Sequence, residues 1–171
     1  MNRRFVFAAL LAGTAALAGC KKEPPASLPP EPEPTVTSTP TTGGDTGAAV
    51  PGTQAHFEQG VNGQNVIYFD TDKFNVDSAD AAALQTQAQY LSQYPQITIT
   101  VEGHADERGT REYNLALGER RANAAKNYLV SLGVAASRVS TLSHGKERPV
   151  ALGSDEQSWA QNRRAVSVVV N

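Results

Sequence analysis

Residues 97–132 read ITITVEGHADERGTREYNLALGERRANAAKNYLVSL. Ile97, Ile99 and Val101 alternate with Thr98 and Thr100, the period-two pattern of a half-buried strand. Asp106 falls just past the end of that strand, and a turn follows. Thr110 can cap the next helix, which runs to Gly133 with Leu115, Gly118, Ala122, Ala125, Leu129 and Leu132 as its apolar stripe. Asn114 and Arg121 are seven residues apart, about two helical turns, so they share a face of it. An acceptor-only carboxylate on the turn and a forked guanidinium on the facing helix make a two-signed socket, suited to a small zwitterion.

The flanking sequence supplies the rest of a small domain. Val66 to Phe69 is a β-prone apolar run that ends in the polar Asp70-Thr71-Asp72. Asp77 or Ser78 can cap a helix to about Gln93, with Ala81, Leu84, Ala88 and Leu91 on its apolar stripe and Pro95 just beyond. Val139 to Ser143 reads as a third strand, Ser154 to Trp159 as a short helix, and Val166 to Val170 as the last strand. The order is β-α-β-α-β-(short α)-β. Two long amphipathic helices each need an apolar cover, so the expected architecture is α+β, a two-layer sandwich with helices on one sheet face. Strand order stays open.

The N-terminal third has a different character. Arg3 and Arg4 precede an apolar run, Phe5 to Ala18, that is short for a membrane span. It ends in Leu17-Ala18-Gly19-Cys20, which is similar to the lipobox of bacterial lipoproteins. Cys20 is the only cysteine, so no intrachain disulfide and no cysteine-based zinc site can form. Residues 1–19 are therefore expected to be a signal peptide. Cys20 is expected to carry diacylglycerol and an N-acyl chain such as palmitate, with no other cofactor. Lys21 rather than Asp follows the cysteine, which by the lipoprotein sorting rule favours the periplasmic face of the outer membrane. Residues 21–56 hold eight of the ten prolines and cannot bury enough apolar surface to offset their ordering entropy. They read as a tether reaching at most about 110 Å in the extended polyproline form. Residues 57–171 read as the globular domain. It carries 11 basic against 13 acidic residues, a balance that disfavours nucleic acid as a partner.

Several separated motifs stand in one order: IYFDTDKF (67–74), VEGHADERGT (101–110), EYNLALGERRANA (112–124) and NRRAV (162–166). Together they resemble the OmpA-like peptidoglycan-binding domain, most closely its lipoprotein branch in the Tol–Pal system. The resemblance implies a ligand, the meso-diaminopimelate residue of the peptidoglycan stem peptide. By position, Asp106 would take the ammonium of its side-chain amino-acid centre and Arg121 its carboxylate. Asn114 would support them with hydrogen bonds, and Asp72 and Arg163 would line the rim. It also implies a TolB-like periplasmic β-propeller and other Tol proteins as partners, with roles in envelope integrity and cell division. Arg111 stands where that family often has proline, and Ala116 and Ala125 where larger residues are commoner.

Competing readings of the same residues are weaker. Asp106 and Arg121 could simply pair with each other, which would say nothing of binding. Arg108, Arg111 and Arg120 read as solvated charges, with only Arg108 near enough to touch a ligand. His104 beside Asp106, with His144 as a distant partner, invites a metal. The spacing matches no zinc pattern, so no metal is expected and His104 reads as a satisfied polar histidine at a strand end. Adjacent carboxylates Asp106 and Glu107 diverge in an extended segment, and a glycosidase pair must straddle its bond about 5–10 Å apart. No GxSxG elbow is present, so hydrolase chemistry is not expected. Phe69 reads as core rather than as part of a sugar platform with Tyr68 and Phe74. Leu142 to Pro149 reads as a charged surface turn.

Overall fold

The computed structural model describes residues 49–170. The expected signal peptide, Cys20 and most of the Pro-rich segment lie outside them. No helix of the described residues is long and apolar enough to cross a membrane.

The elements in chain order are α1 (Gln54–Gly60), β1 (Val66–Tyr68), α2 (Ser78–Gln93), β2 (Thr98–His104) and α3 (Arg111–Ser131). A one-turn 3-10 helix (Ala136–Arg138), β3 (Val139–Gly145), α4 (Glu156–Asn162) and β4 (Arg164–Val170) complete the domain. The four strands form one mixed sheet in the order β1-β4-β2-β3. β2 and β3 run parallel, joined through α3, while β4 pairs antiparallel with both β1 and β2. This is the expected α+β layering of helices on a sheet, with a strand order that the sequence left open.

The helix starts follow from side-chain capping. Asp77 accepts from the Asp80 amide and Thr110 from the Tyr113 amide, each satisfying a backbone donor of the first turn. α4 starts two residues later than Ser154 suggested, because Asp155 is its cap. Asp155 binds the Ser158 amide through one oxygen and the Ser158 hydroxyl through the other. α1 was not foreseen. Thr53 caps it, and Phe57 is driven fully into the core, so helical backbone begins upstream of the residue where the composition turned globular.

Burial of apolar surface between α1, α2, α3 and the sheet forms the core, through Phe57, Ile67, Leu84, Leu91, Ile99, Val101 and Leu129. Phe69 is buried as expected. The α3 stripe needs two corrections. Leu132 is exposed because the helix has already ended at Ser131, and Leu117 is buried in its place near the socket.

One contact positions the site. Gly103 on β2 and Gly118 on α3 meet backbone to backbone. A Cβ on Gly103 would overlap the Gly118 carbonyl, and one on Gly118 would come within 2.8 Å of the Gly103 oxygen. Only paired glycines allow α3 to lie this close to the strand. Arg121, one turn further along α3, is thereby pressed against the carbonyl of His104.

Candidate functional site

Arg121 is fully buried, and its guanidinium is held by backbone oxygens rather than by an acid. Nε donates to Lys73 O at 2.9 Å, Nη1 to His104 O at 2.8 Å and Nη2 to Asp70 O at 3.1 Å. It thus clamps the loop after β1 to the end of β2. A guanidinium has five N–H donors, so two remain for a ligand. Burial pulls its pKa down to about 10, an effect that the Asp106 charge opposes, and the group stays cationic at neutral pH.

Asp106 is 7% exposed and does not pair with Arg121. Its Oδ1 accepts from the Arg108 amide and Nε, both at 3.1 Å. Its Oδ2 accepts from Arg108 Nη2 at 2.7 Å and from Arg163 Nη1 at 3.4 Å. Burial pushes this carboxyl up, but the hydrogen bonds from Arg108 and Arg163 outweigh it and hold the group below the usual carboxylate range.

The two charges face one cavity of about 290 Å³, lined by Thr71, Asp72, Asp106, Arg108, Tyr113 and Arg121 among others. Asn114 lines it too. Its amide nitrogen donates to Arg108 O at 2.7 Å, so it also pins the turn that carries Arg108. Gly109, at φ +84°, makes the reversal into α3 that the turn requires. Asp72 sits on the rim in the left-handed region, at φ +57°, with its carboxylate accepting from the Tyr113 hydroxyl at 3.1 Å. Few non-glycine residues adopt that conformation, and those that do gather at functional sites.

Sequence reasoning therefore brought Asp106, Asn114, Arg121 and Asp72 to one cavity, as the structure does. Arg163 differs. Expected at the rim, it is buried behind Asp106, where it donates to Phe69 O, Asp106 and Glu156. It lines a separate cavity of about 330 Å³ with Tyr68, Phe69 and Gln161. Lying between α4 and β4, it reaches Asp106 from behind the cavity rather than from its rim. Arg108 is more involved than a solvated charge: its guanidinium closes on Asp106 and stacks 4.2 Å over the Trp159 ring. The signal that could have found it is its place two residues after Asp106 in a tight turn. Tyr113 was missed, since one exposed aromatic in a helix carries no pattern. Glu107 turns away from Asp106 to accept from Trp159 Nε1 at 3.0 Å.

His104 needs the other correction. It sits at the strand end as expected, but it is buried and not satisfied: neither ring nitrogen has a hydrogen-bond partner among the described residues. The Arg148 backbone approaches the ring without reaching hydrogen-bond geometry. His144, thought distant, lies beside it with ring centroids 5.1 Å apart, because β2 and β3 pair in parallel.

Comparison with known proteins places this geometry. The model of the OmpA family matches residues 68–163. A peptidoglycan-associated lipoprotein of Agrobacterium fabrum is 56% identical over 126 residues, 74% of this chain and 70% of that one. One from Mesorhizobium japonicum is 57% identical over 123 residues, 72% of each chain. The crystal structure of the peptidoglycan-associated lipoprotein from Burkholderia pseudomallei superimposes with a TM-score of 0.61 at 52% identity, covering 62% of this chain and 90% of that one. The C-terminal domain of Helicobacter pylori MotB shares the fold at 18% identity, with a TM-score of 0.58 over 62% of this chain and 84% of that one. With the motif order, the socket and these relatives in agreement, the chain belongs to the OmpA family.

Proposed function

We propose that this chain is a non-enzymatic strap between the outer membrane and the cell wall. Lipid on Cys20 holds the membrane, the Pro-rich segment spans the gap, and the folded domain grips diaminopimelate-containing stem peptides. The observation that carries this reading is the cavity itself: an ionised Asp106 on one side, and on the other a buried Arg121 with two donors unspent. An amino-acid centre bearing an ammonium and a carboxylate matches both ends at once. Three of these relatives, each more than half identical, are named peptidoglycan-associated lipoproteins, which supports the wall as the target.

Asp106 already accepts four hydrogen bonds, three of them from Arg108. An incoming ammonium must share or displace that guanidinium, whose side chain is 39% exposed and free to move outward. The grip replaces one charge-assisted contact with another, so it is reversible. A TolB-like propeller competing for the same domain would act on such an equilibrium, serving envelope integrity and constriction at division.

Co-sedimentation of the full chain with purified sacculi tests the reading. The parent protein should pellet with the wall, release no soluble muropeptides and be displaced by free meso-diaminopimelate, while Asp106→Asn stays in the supernatant. Steady release of fragments would make it a hydrolase instead. Equal pelleting of Asp106→Asn would show the socket is misplaced. Retention of the propeller in a pull-down separates a Tol partner from another wall-binding lipoprotein of the family.

A further inference from the structure

The sheet face opposite α3 carries a cluster that wall binding does not use. Glu102 and His104 are two apart on β2, so both side chains point to that face. The pairing with β3 slips between Gly103 and His104: Gly103 faces Ser143, but His104 faces Gly145. His144 is the extra residue of this bulge, and such irregularities re-aim side chains. Its Nε2 comes 3.2 Å from Glu102 Oε2, and His104 Nε2 lies 3.9 Å from the same oxygen. The three ligand atoms lie within 4.8 Å of one another.

Two features distinguish this cluster from an ordinary buried ion pair. His104 is 3% exposed, and among the described residues both of its ring nitrogens lack a partner, as does His144 Nε2 despite its nearness to Glu102. Orphaned buried polar atoms are rare in native proteins and call for an occupant. The donor set, two imidazoles and a carboxylate, is also one that holds zinc with a water in the fourth position. Metal–ligand bonds of about 2.0–2.2 Å place tetrahedral ligands about 3.3–3.6 Å apart. Of the three separations, the one from Glu102 to His144 is already near that value, and the one from Glu102 to His104 closes with a shift of roughly half an ångström. The two imidazoles, within 4.8 Å of each other, draw together as the rings turn onto the ion.

We propose that Glu102, His104 and His144 bind a divalent transition-metal ion of the zinc class. The guanidinium groups of Arg148 and Arg164 also face His104, and Glu102 is the one carboxylate among the three ligands. Their repulsion opposes the bound cation and weakens the site. The ion is a staple rather than a catalyst: His104 offers its ring to the metal and its carbonyl to Arg121 Nη1, so binding stiffens the strand end beneath the socket.

The test uses the full chain without a histidine tag, stripped with a chelator and titrated with ZnCl2, then with CoCl2. One equivalent of Zn2+ should bind at micromolar concentration and raise the melting temperature, and Co2+ should give the visible absorption of a tetrahedral or five-coordinate site. Glu102→Gln and His144→Phe should each lose this uptake while melting cooperatively, and His56→Gln should keep it. No saturable uptake by the parent, as a bridging water in the cluster would give, overturns the site. Unchanged uptake by both Glu102→Gln and His144→Phe overturns it equally.

Discussion

Arg121→Met would separate holding the fold from holding the ligand. Methionine keeps the aliphatic stem and removes the guanidinium, so Asp70, Lys73 and His104 lose their donors at 3.1, 2.9 and 2.8 Å. Hydrogen bonds to a charged group contribute about 1.5–3 kcal/mol each, a gross loss of roughly 4.5–9 kcal/mol for the three. Removing a buried charge returns several kcal/mol of desolvation cost, so the net destabilisation should be about 3–4 kcal/mol. Domains of this size are stable by about 5–15 kcal/mol, and the variant should still fold at low temperature. With a urea dependence of about 1.5–2 kcal/mol per molar, the unfolding midpoint should fall by roughly 2 M. Equilibrium urea unfolding followed by circular dichroism reads this directly. A midpoint within about 0.5 M of the parent would refute the view of Arg121 as a clamp between two segments.

Two further outcomes follow from the same geometry. Gly118→Ala places a methyl against Ser143 and the Gly103 carbonyl. Despite the better helix propensity of alanine, overpacking should cost about 1–3 kcal/mol, and lifting α3 should weaken sacculus binding. Thermal melting and co-sedimentation check the two parts. The depressed pKa of Asp106 sets an acid limit. The stability it contributes is present above its ordinary value of 3.8 and is lost as pH falls through the lower folded value. Wall binding should accordingly be level from neutral pH down to about 3.8 and decline below it, as a pH series of co-sedimentation would show; loss already at pH 5 would contradict the ion-pair account.

Periodicity and caps made most of the fold legible before any coordinates. The alternation of Ile97, Ile99 and Val101 and the caps Asp77 and Thr110 report local geometry, which repeats in the chain itself. The same locality carried part of the site: Asp106 on a turn, with Asn114 and Arg121 two helical turns apart, had to face one another once strand and helix packed. Local pattern failed where the deciding partner was remote. β4 reaches back to Arg164 because Tyr68 pairs with it across the sheet. Phe57 nucleates an unforeseen helix because a distant core accepts its ring.

By itself the sequence determined the helices α2, α3 and α4, the four strands and the charges available to a zwitterion. All of these depend on spacing along one chain. Only the tertiary structure decided which charge meets which. Asp106 is bound by Arg108 and Arg163 instead of Arg121, and Arg121 spends three donors on carbonyls from two other segments. Likewise His144 reaches His104 through a bulge between parallel strands 40 residues apart in sequence. Register and packing bring such groups together, and neither leaves a mark in the spacing of residues along the chain.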